Sequence, residues 1–131
     1  MKQLNELYKS GDWKAEKHIP AIDCEEKVKA GDPIQVKVSI GKEQPHPNTT
    51  EHHIRWIAVY FLADGENFPY QVGQFEFTAH GESTQGPNTG PVYTHHEITC
   101  YMKISKPGTI FATSLCNIHG LWQSAKQIAI S

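Results

Sequence analysis

The sequence predicts an all-β protein, an immunoglobulin-like antiparallel β-sandwich of about seven strands. Helix-period patterns are almost absent after the first dozen residues, and short alternating or β-branched segments recur along the rest of the chain. Turn-rich pieces such as HGESTQGPNTGP separate these segments. With 131 residues, 38% of them hydrophobic, the chain is large enough for one core and too small to divide comfortably. We therefore predict a single domain over residues 1–131.

The first half of the chain predicts three strands, at residues 19–24, 34–40 and 54–62. Residues 34–40 alternate apolar and polar side chains, as a half-buried antiparallel strand does, and Gly41 ends the pattern. Residues 54–62 form a near-continuous apolar run that is rich in aromatic and β-branched side chains. That composition is typical of a central strand covered on both faces.

The second half predicts four more strands, at residues 70–79, 92–102, 109–115 and 126–130, with Gly73 as a candidate β-bulge. Functional residues of such a fold usually lie on its loops. We therefore expect a site at one end of the sandwich.

Charge and composition exclude several kinds of partner. The net charge is −2 and no run of Lys or Arg occurs, which argues against binding to nucleic acid or to an anionic membrane. No apolar segment has the length of a signal peptide core or of a transmembrane span, so we expect a cytoplasmic protein. Cys24, Cys100 and Cys116 are odd in number and widely scattered, which suits reduced thiols. Cys24 and Cys100 lie in apolar strand contexts and are expected to be small buried hydrophobic residues.

Eight histidines are a high count for this length. Four of them lie just before or after a predicted strand or a Pro/Gly-rich turn, where loops at one end of a sandwich can bring them together: His18, His46, His52 and His119. Adjacent residues of an extended chain point in opposite directions, so His52 and His53 cannot both face a common centre. The remaining three, His80, His95 and His96, are expected to be solvated loop residues.

The segment TSLCNIHGLW at residues 113–122 places Cys116 three residues before His119. One soft thiolate among several imidazoles suits iron or copper, whereas structural zinc usually recruits two or more thiolates. A blue-copper site would use Cys116, His119 and an upstream histidine, with Gln123 as the weak axial ligand. A thiol nucleophile with His119 as its base is a further hypothesis, although no flanking residue indicates an oxyanion hole or an orienting carboxylate. The residues alone leave these alternatives open.

Three segments taken together resemble the superoxide reductases, the neelaredoxin and desulfoferrodoxin family. They are EKHIP at 16–20, HPNTTEHHI at 46–54 and CNIHGLW at 116–122. SGDWK at 10–14, FLADGENFPYQVG at 61–73 and FTAHGES at 77–83 are also similar, so the resemblance extends over almost the whole chain.

The resemblance implies a mononuclear iron with an axial thiolate and a vacant position opposite the sulfur, where superoxide binds. Its ligands would be the imidazoles of His18, His46, His52 and His119 in one plane and the sulfur of Cys116. Glu16 matches the glutamate that can occupy the vacant position in the oxidised protein, and Lys17 matches the lysine that attracts the anion. His53 is left as a non-ligand.

The resemblance also implies what the protein does and with which partners. The reaction is one-electron reduction of superoxide to hydrogen peroxide. No four-cysteine desulforedoxin-like module occurs in these 131 residues, so the expectation is a protein of the one-iron class. An external protein must then supply the electron, and rubredoxin is the usual donor in this family. Relatives often assemble as tetramers, so a homotetramer is expected.

Overall fold

The computed structural model describes residues 1–131 as two β-sheets packed around one hydrophobic core, which confirms the predicted fold class. A three-stranded sheet has the order β1-β3-β6, and a five-stranded sheet has the order β2-β8-β7-β4-β5. A short 3-10 helix at Leu4–Glu6 precedes the strands. The strands are β1 (Ala21–Asp23), β2 (Lys27–Val28), β3 (Ile34–Ser39), β4 (Ile54–Ala63), β5 (Tyr70–Glu76), β6 (Glu97–Met102), β7 (Gly108–Cys116) and β8 (Gly120–Ile130).

Strand β3 lies at the centre of the smaller sheet and follows its sequence pattern closely. Val36 and Val38 point into the core and are completely buried, whereas the intervening Lys37 is only half-buried. β3 pairs in antiparallel fashion with both β1 and β6. The period-2 alternation therefore gives this sheet one apolar face that packs against the larger sheet.

Strand β4 lies between β7 and β5 in the larger sheet, as the apolar run predicts. Ile57, Ala58 and Val59 are all completely buried, so this part of the strand is covered on both faces. Farther along, Tyr60 and Leu62 are half-buried and line a groove on the outer face of the sheet. The two-sided burial is thus confined to the middle of the strand.

The last hairpin differs from its prediction. β8 begins at Gly120, six residues before the predicted start at Lys126, and the antiparallel ladder with β7 closes at the pair Cys116 and Gly120. Gly120 has a φ of +80°, a conformation that glycine adopts without a steric penalty. The first part of this strand was not predicted because the polar residues Gln123 and Ser124 interrupt the apolar pattern.

Further differences concern the number of strands, the direction of one strand and the start of β6. The structure has eight strands, and the additional short strand β2 pairs in parallel with β8, so the larger sheet is mixed. β6 begins at Glu97 and not at Val92. A register shift in the β4–β5 pair leaves Val72 unpaired beside Gly73, which places a bulge next to the predicted position.

Several chain segments meet at one end of the sandwich. β7 ends at Cys116, β8 begins at Gly120, and β4 begins at Ile54, which pairs with Cys116. β1 begins there too, because Ala21 pairs with Ser39 at the end of β3. The loops that carry most of the histidines therefore converge on this end. No helix in the structure is both long enough and apolar enough to span a membrane.

Candidate metal centre

Four histidine rings form a nearly square arrangement at this end of the molecule. The ring centroids of His18 and His46 are 4.8 Å apart, and those of His46 and His52 are also 4.8 Å apart. His119 closes the square, with its ring centroid 4.9 Å from that of His52 and 5.0 Å from that of His18. The diagonal between His18 and His52 is 6.5 Å, longer than any side. The rings thus surround a common centre.

The sulfur of Cys116 lies beside this square. Potential ligand atoms of His18, His52, Cys116 and His119 all lie within 4.8 Å of one another. His46 is outside that closest group, although its ring lies next to two members of it. Cys116 Sγ is 3.7 Å from His119 Nδ1, and Cys116 is buried while His119 is exposed. The structure therefore brings together all five of the side chains that the resemblance assigns to iron.

Hydrogen bonds to the outer nitrogens orient two of the rings. His46 Nδ1 lies 2.6 Å from the carbonyl oxygen of Pro47, which can only accept, so this nitrogen carries the proton. His18 Nδ1 likewise donates to Glu16 Oε1 over 2.8 Å. A neutral imidazole protonated at Nδ1 has a free lone pair on Nε2. Both rings are held in the tautomer that presents Nε2 as a ligand atom.

Those ligand nitrogens have no hydrogen-bond partner in the protein. Nε2 of His18, His46 and His52 are all buried and unpartnered. A buried polar atom without a partner is destabilising, and three together around one centre require a common explanation. Four imidazoles and one thiolate are a donor set suited to a transition metal. The residues therefore fit a metal ion.

Burial keeps the imidazoles in the form that binds metals. It lowers the pKa of His46 to about 3 and is also the main cause of the lowered pKa of His18 and of His52. Neighbouring histidines add to the effect because a second positive charge in the square is unfavourable. The three rings are therefore neutral near neutral pH, as metal ligation requires.

Glu16 and Lys17 lie directly before His18 in the loop that leads into β1. Glu16 Oε1 accepts hydrogen bonds from the backbone N–H and from Nδ1 of His18. Burial alone would raise the pKa of Glu16, but these hydrogen bonds outweigh it and bring the pKa below its ordinary value. In this structure Glu16 orients a ring of the square. Lys17 is half-buried, and its positive charge contributes to lowering the pKa of His18 and His52.

Trp122 lies beside the square and is buried, with 7% of its surface exposed. Its indole stacks on the ring of His18, with centroids 4.4 Å apart and planes at 10°. Lys9 Nζ lies 5.3 Å from the indole centroid, and the backbone of Lys9 forms a bridge to Trp122. Trp122 thus supports the square from one side through a contact that no sequence pattern predicts.

A second pair of histidines lies outside the square. His53 and His80 stack with ring centroids 3.4 Å apart and planes at 10°. His53 Nδ1 donates to the Thr49 carbonyl, and His80 lies beside Glu82. The prediction that His80 and His96 are solvated is wrong, since they are 3% and 7% exposed. His95 is exposed, as predicted.

The copper alternative requires Gln123 as an axial ligand, and the structure does not favour it. Successive residues of a strand face opposite sides of the sheet, and the preceding Trp122 faces the histidine square. Gln123 instead lines the outer groove with Tyr60 and Phe111. Cys24 and Cys100 are free thiols that pack against the core, although they are half-buried and not fully buried as predicted.

Comparison with known proteins agrees with the family resemblance of the sequence motifs. The family model described as desulfoferrodoxin matches residues 10–125. Neelaredoxin from Megalodesulfovibrio gigas is 57% identical over 128 residues, covering 98% of each chain. A superoxide reductase from Pyrococcus furiosus is 57% identical over 121 residues, covering 92% of this chain and 95% of that protein. The structure of superoxide reductase (neelaredoxin) from Archaeoglobus fulgidus in the reduced form superposes with a TM-score of 0.87 at 50% identity, covering 94% of this chain and 98% of that one.

Proposed function

This chain belongs to the desulfoferrodoxin family, and from that premise we propose that it is a superoxide reductase. The reaction adds one electron and two protons to superoxide and releases one hydrogen peroxide without dioxygen. The observation that carries the proposal is the square of four histidines with three buried, unpartnered Nε2 atoms beside a cysteine sulfur. Such a site is built for a redox metal.

We propose that the metal is a single iron held by five side chains. The ligands are His18, His46, His52, His119 and Cys116. The donor set supports iron over structural zinc because it contains only one thiolate. When bound, iron supplies the single electron that superoxide receives, and the thiolate tunes its reactivity.

The residues around the ligands keep the site ready for the metal. Glu16 holds His18 through Nδ1, and the Pro47 carbonyl holds His46 in the same way. Partners of this kind fix the orientation of ligating histidines and increase their basicity. Both Glu16 contacts use Oε1, so we propose that Oε2 gives this carboxylate a second role as an iron ligand in the oxidised protein. The first role is independent of the second.

Lys17 is proposed to attract the substrate. Superoxide is an anion and the chain has a net charge of −2, so its long-range approach is unfavourable. A cation adjacent to His18 provides local attraction at the site. Protons for the product come from solvent, which has access to the site because His119 is exposed.

We propose that the electron comes from an external rubredoxin-like protein. His119 and the neighbouring Ile118 are exposed, Ile118 at 59%, which gives a partner direct access to this edge of the site. We also propose that residues 1–131 act as one iron-binding domain, since both sheets share one core. The three free thiols support a reducing compartment such as the cytoplasm.

Assembly into a homotetramer is part of the proposal and is supported by one surface. A groove of about 520 Å³ on the outer face of the larger sheet is lined mainly by apolar and aromatic side chains. Leu4, at 61% exposure, lies in this groove, and Phe68 and Tyr70, next to the lining residue Pro69, are 80% and 63% exposed. Large exposed apolar patches are typical of interfaces.

The stoichiometry of an anaerobic reaction tests the proposed function. Reduced, iron-loaded protein is mixed with superoxide, and peroxide and dioxygen are both measured. A reductase produces one peroxide for each superoxide consumed and no dioxygen. A dismutase produces half as much peroxide together with dioxygen, and that result would refute the proposal, as would iron-loaded protein that is not oxidised by superoxide.

A further inference from the structure

We propose that Asn117 is a positioning residue. Its side chain holds residues 51–53, the His52 segment, against the turn at residues 116–120, the Cys116 loop. This inference rests on the proposed function, because it assigns Asn117 a role in keeping two groups of metal ligands in register. Asn117 lies in the turn between β7 and β8, directly after Cys116 and two residues before His119. It touches neither the substrate nor the metal in this role.

Three hydrogen bonds connect Asn117 to the residues on either side of His52. Asn117 Oδ1 accepts from the backbone N–H of His53 over 2.9 Å. Asn117 Nδ2 donates to the carbonyl oxygen of Glu51 over 2.9 Å. The backbone N–H of Asn117 donates to the carbonyl oxygen of His53 over 3.1 Å. The peptide groups that flank His52 are therefore held by a single residue of the Cys116 loop.

The position of this contact explains why a side chain is needed. The ladder between β4 and β7 ends at the pair Ile54 and Cys116, and a register shift at Arg55 interrupts the ladder directly before this last pair. Beyond that pair one backbone hydrogen bond follows, from Asn117 N–H to the His53 carbonyl, and no backbone pairing from this strand reaches His52. The carboxamide of Asn117 bonds the C=O before His52 and the N–H after it, as the N–H and C=O of one residue in a neighbouring parallel strand would. It extends the sheet by one side chain to reach the ligand.

Only an amide side chain can make both bonds. Aspartate has the same shape, but its carboxylate cannot donate to the Glu51 carbonyl and instead places two oxygens opposite each other. Alanine removes both bonds and leaves the two loops connected only through the Asn117 backbone. His52 itself is held by Thr49, which accepts from its backbone N–H and donates to its carbonyl, so the loop keeps its own turn. Loss of the Asn117 amide therefore changes the position of the loop more than its internal structure.

The test measures Co²⁺ binding to the apoprotein of the full chain. Co²⁺ affinity is determined by chelator competition under anaerobic conditions, with the thiolate-to-cobalt absorption band as the signal. Asn117→Ala and Asn117→Asp are each expected to weaken binding about 10- to 100-fold, the usual effect of removing a residue that positions metal ligands. The band is expected to remain at saturating Co²⁺ because Cys116 is unchanged.

Two controls separate positioning from general destabilisation. Ile128→Val shortens a buried core side chain near the far end of β8 and lowers the melting temperature of the apoprotein without touching the site. Gln85→Ala removes an exposed amide from the loop between β5 and β6. Both controls are expected to bind Co²⁺ like the wild type.

The outcomes separate this inference from the proposed function. Asn117 variants that bind Co²⁺ within threefold of the wild type would overturn the inference alone. It would also be overturned if Ile128→Val weakened binding as much as Asn117→Ala, since stability would then explain the effect. A wild-type protein that binds no metal would refute the proposed function, and this inference with it.

Discussion

His52 and His53 are neighbours in sequence and have opposite environments. His52 is half-buried, lies in the square and has an unpartnered, buried Nε2. His53 is more deeply buried, yet its Nδ1 donates to Thr49 and its ring stacks on His80. Burial and residue type therefore do not distinguish a metal-binding histidine from a structural one. Between these two neighbours, the distinguishing feature is the buried Nε2 of His52, which has no partner in the protein.

Local backbone structure produces this divergence. His52 lies in a bend closed by Thr49, His53 directly precedes β4, and Asn117 holds the peptide groups on either side of His52. The square receives one side chain of the pair, and the other lines a surface pocket together with Arg55, Glu76 and Glu82. Variants of His52 are therefore expected to lose metal affinity, whereas variants of His53 are expected to lose stability.

The largest effect is expected for Cys116→Ser. It removes the only thiolate of the square, so the thiolate-to-iron absorption band should disappear and superoxide consumption should fall by about two orders of magnitude or more. Cys100→Ser is the matched control, because Cys100 packs against the core away from the site. Absorption spectra and stopped-flow kinetics measure both properties. Retention of the band in Cys116→Ser would contradict the ligand assignment.

The comparison of the two neighbours is tested most simply by replacing each in turn. His52→Ala is expected to lower Fe²⁺ affinity by about 100-fold or more, because a ligand is lost. His53→Ala should leave the affinity within a few-fold of the wild type and lower the free energy of unfolding by about 1–3 kcal/mol, because a buried stacked ring and its hydrogen bond are lost. Chelator competition and urea denaturation measure the two effects. The reverse pattern would show that the assignment of the pair is incorrect.

A smaller effect is expected at Glu16. Glu16→Ala frees the Nδ1 of His18, and metal affinity should fall by about tenfold because the ring loses its orienting partner. Glu16→Gln keeps an acceptor oxygen and should recover most of the affinity. The oxidised absorption spectrum should change in both variants if the carboxylate also ligates iron. Equal affinity of Glu16→Ala and the wild type would rule out the orienting role.

The smallest effect is expected at Lys17. Lys17→Ala should slow the second-order reaction with superoxide by about three- to tenfold at low salt and weaken its dependence on ionic strength, because one attractive charge at the site is removed. The absorption spectrum of the iron should not change. Lys29→Ala, in the loop before β3, is the control for net charge alone. If both lysine variants behaved alike across salt concentrations, local attraction by Lys17 would be excluded.

The sequence predicted the features that depend on short-range pattern. The alternation of β3 and the apolar run of β4 identified those strands, and the alternation of His52 and His53 predicted that they diverge. The parallel pairing of β2 with β8 was not predictable, because it joins segments far apart in the chain. The burial of His80 was missed for the same reason, since its stacking partner His53 lies on a distant loop.

The candidate site could be predicted only in part from residue types. Cys116 and His119 suggested a metal, but choosing their partners among the remaining histidines required the family resemblance. Tertiary contacts provide what no pattern contains: the hydrogen bond from His18 to Glu16, the stacking of Trp122 and the link through Asn117. Each of these joins groups through side-chain geometry, for which a linear sequence has no periodic signal.

X-ray absorption at the iron K-edge of the reconstituted, reduced protein determines whether Cys116 and the four histidines of the square bind the iron. In the reduced protein, one iron per chain is expected with a single sulfur neighbour and nitrogen neighbours for the rest, and Cys116→Ser is expected to lose that sulfur. Two or more sulfur neighbours, or none in the wild-type protein, would contradict this ligand assignment.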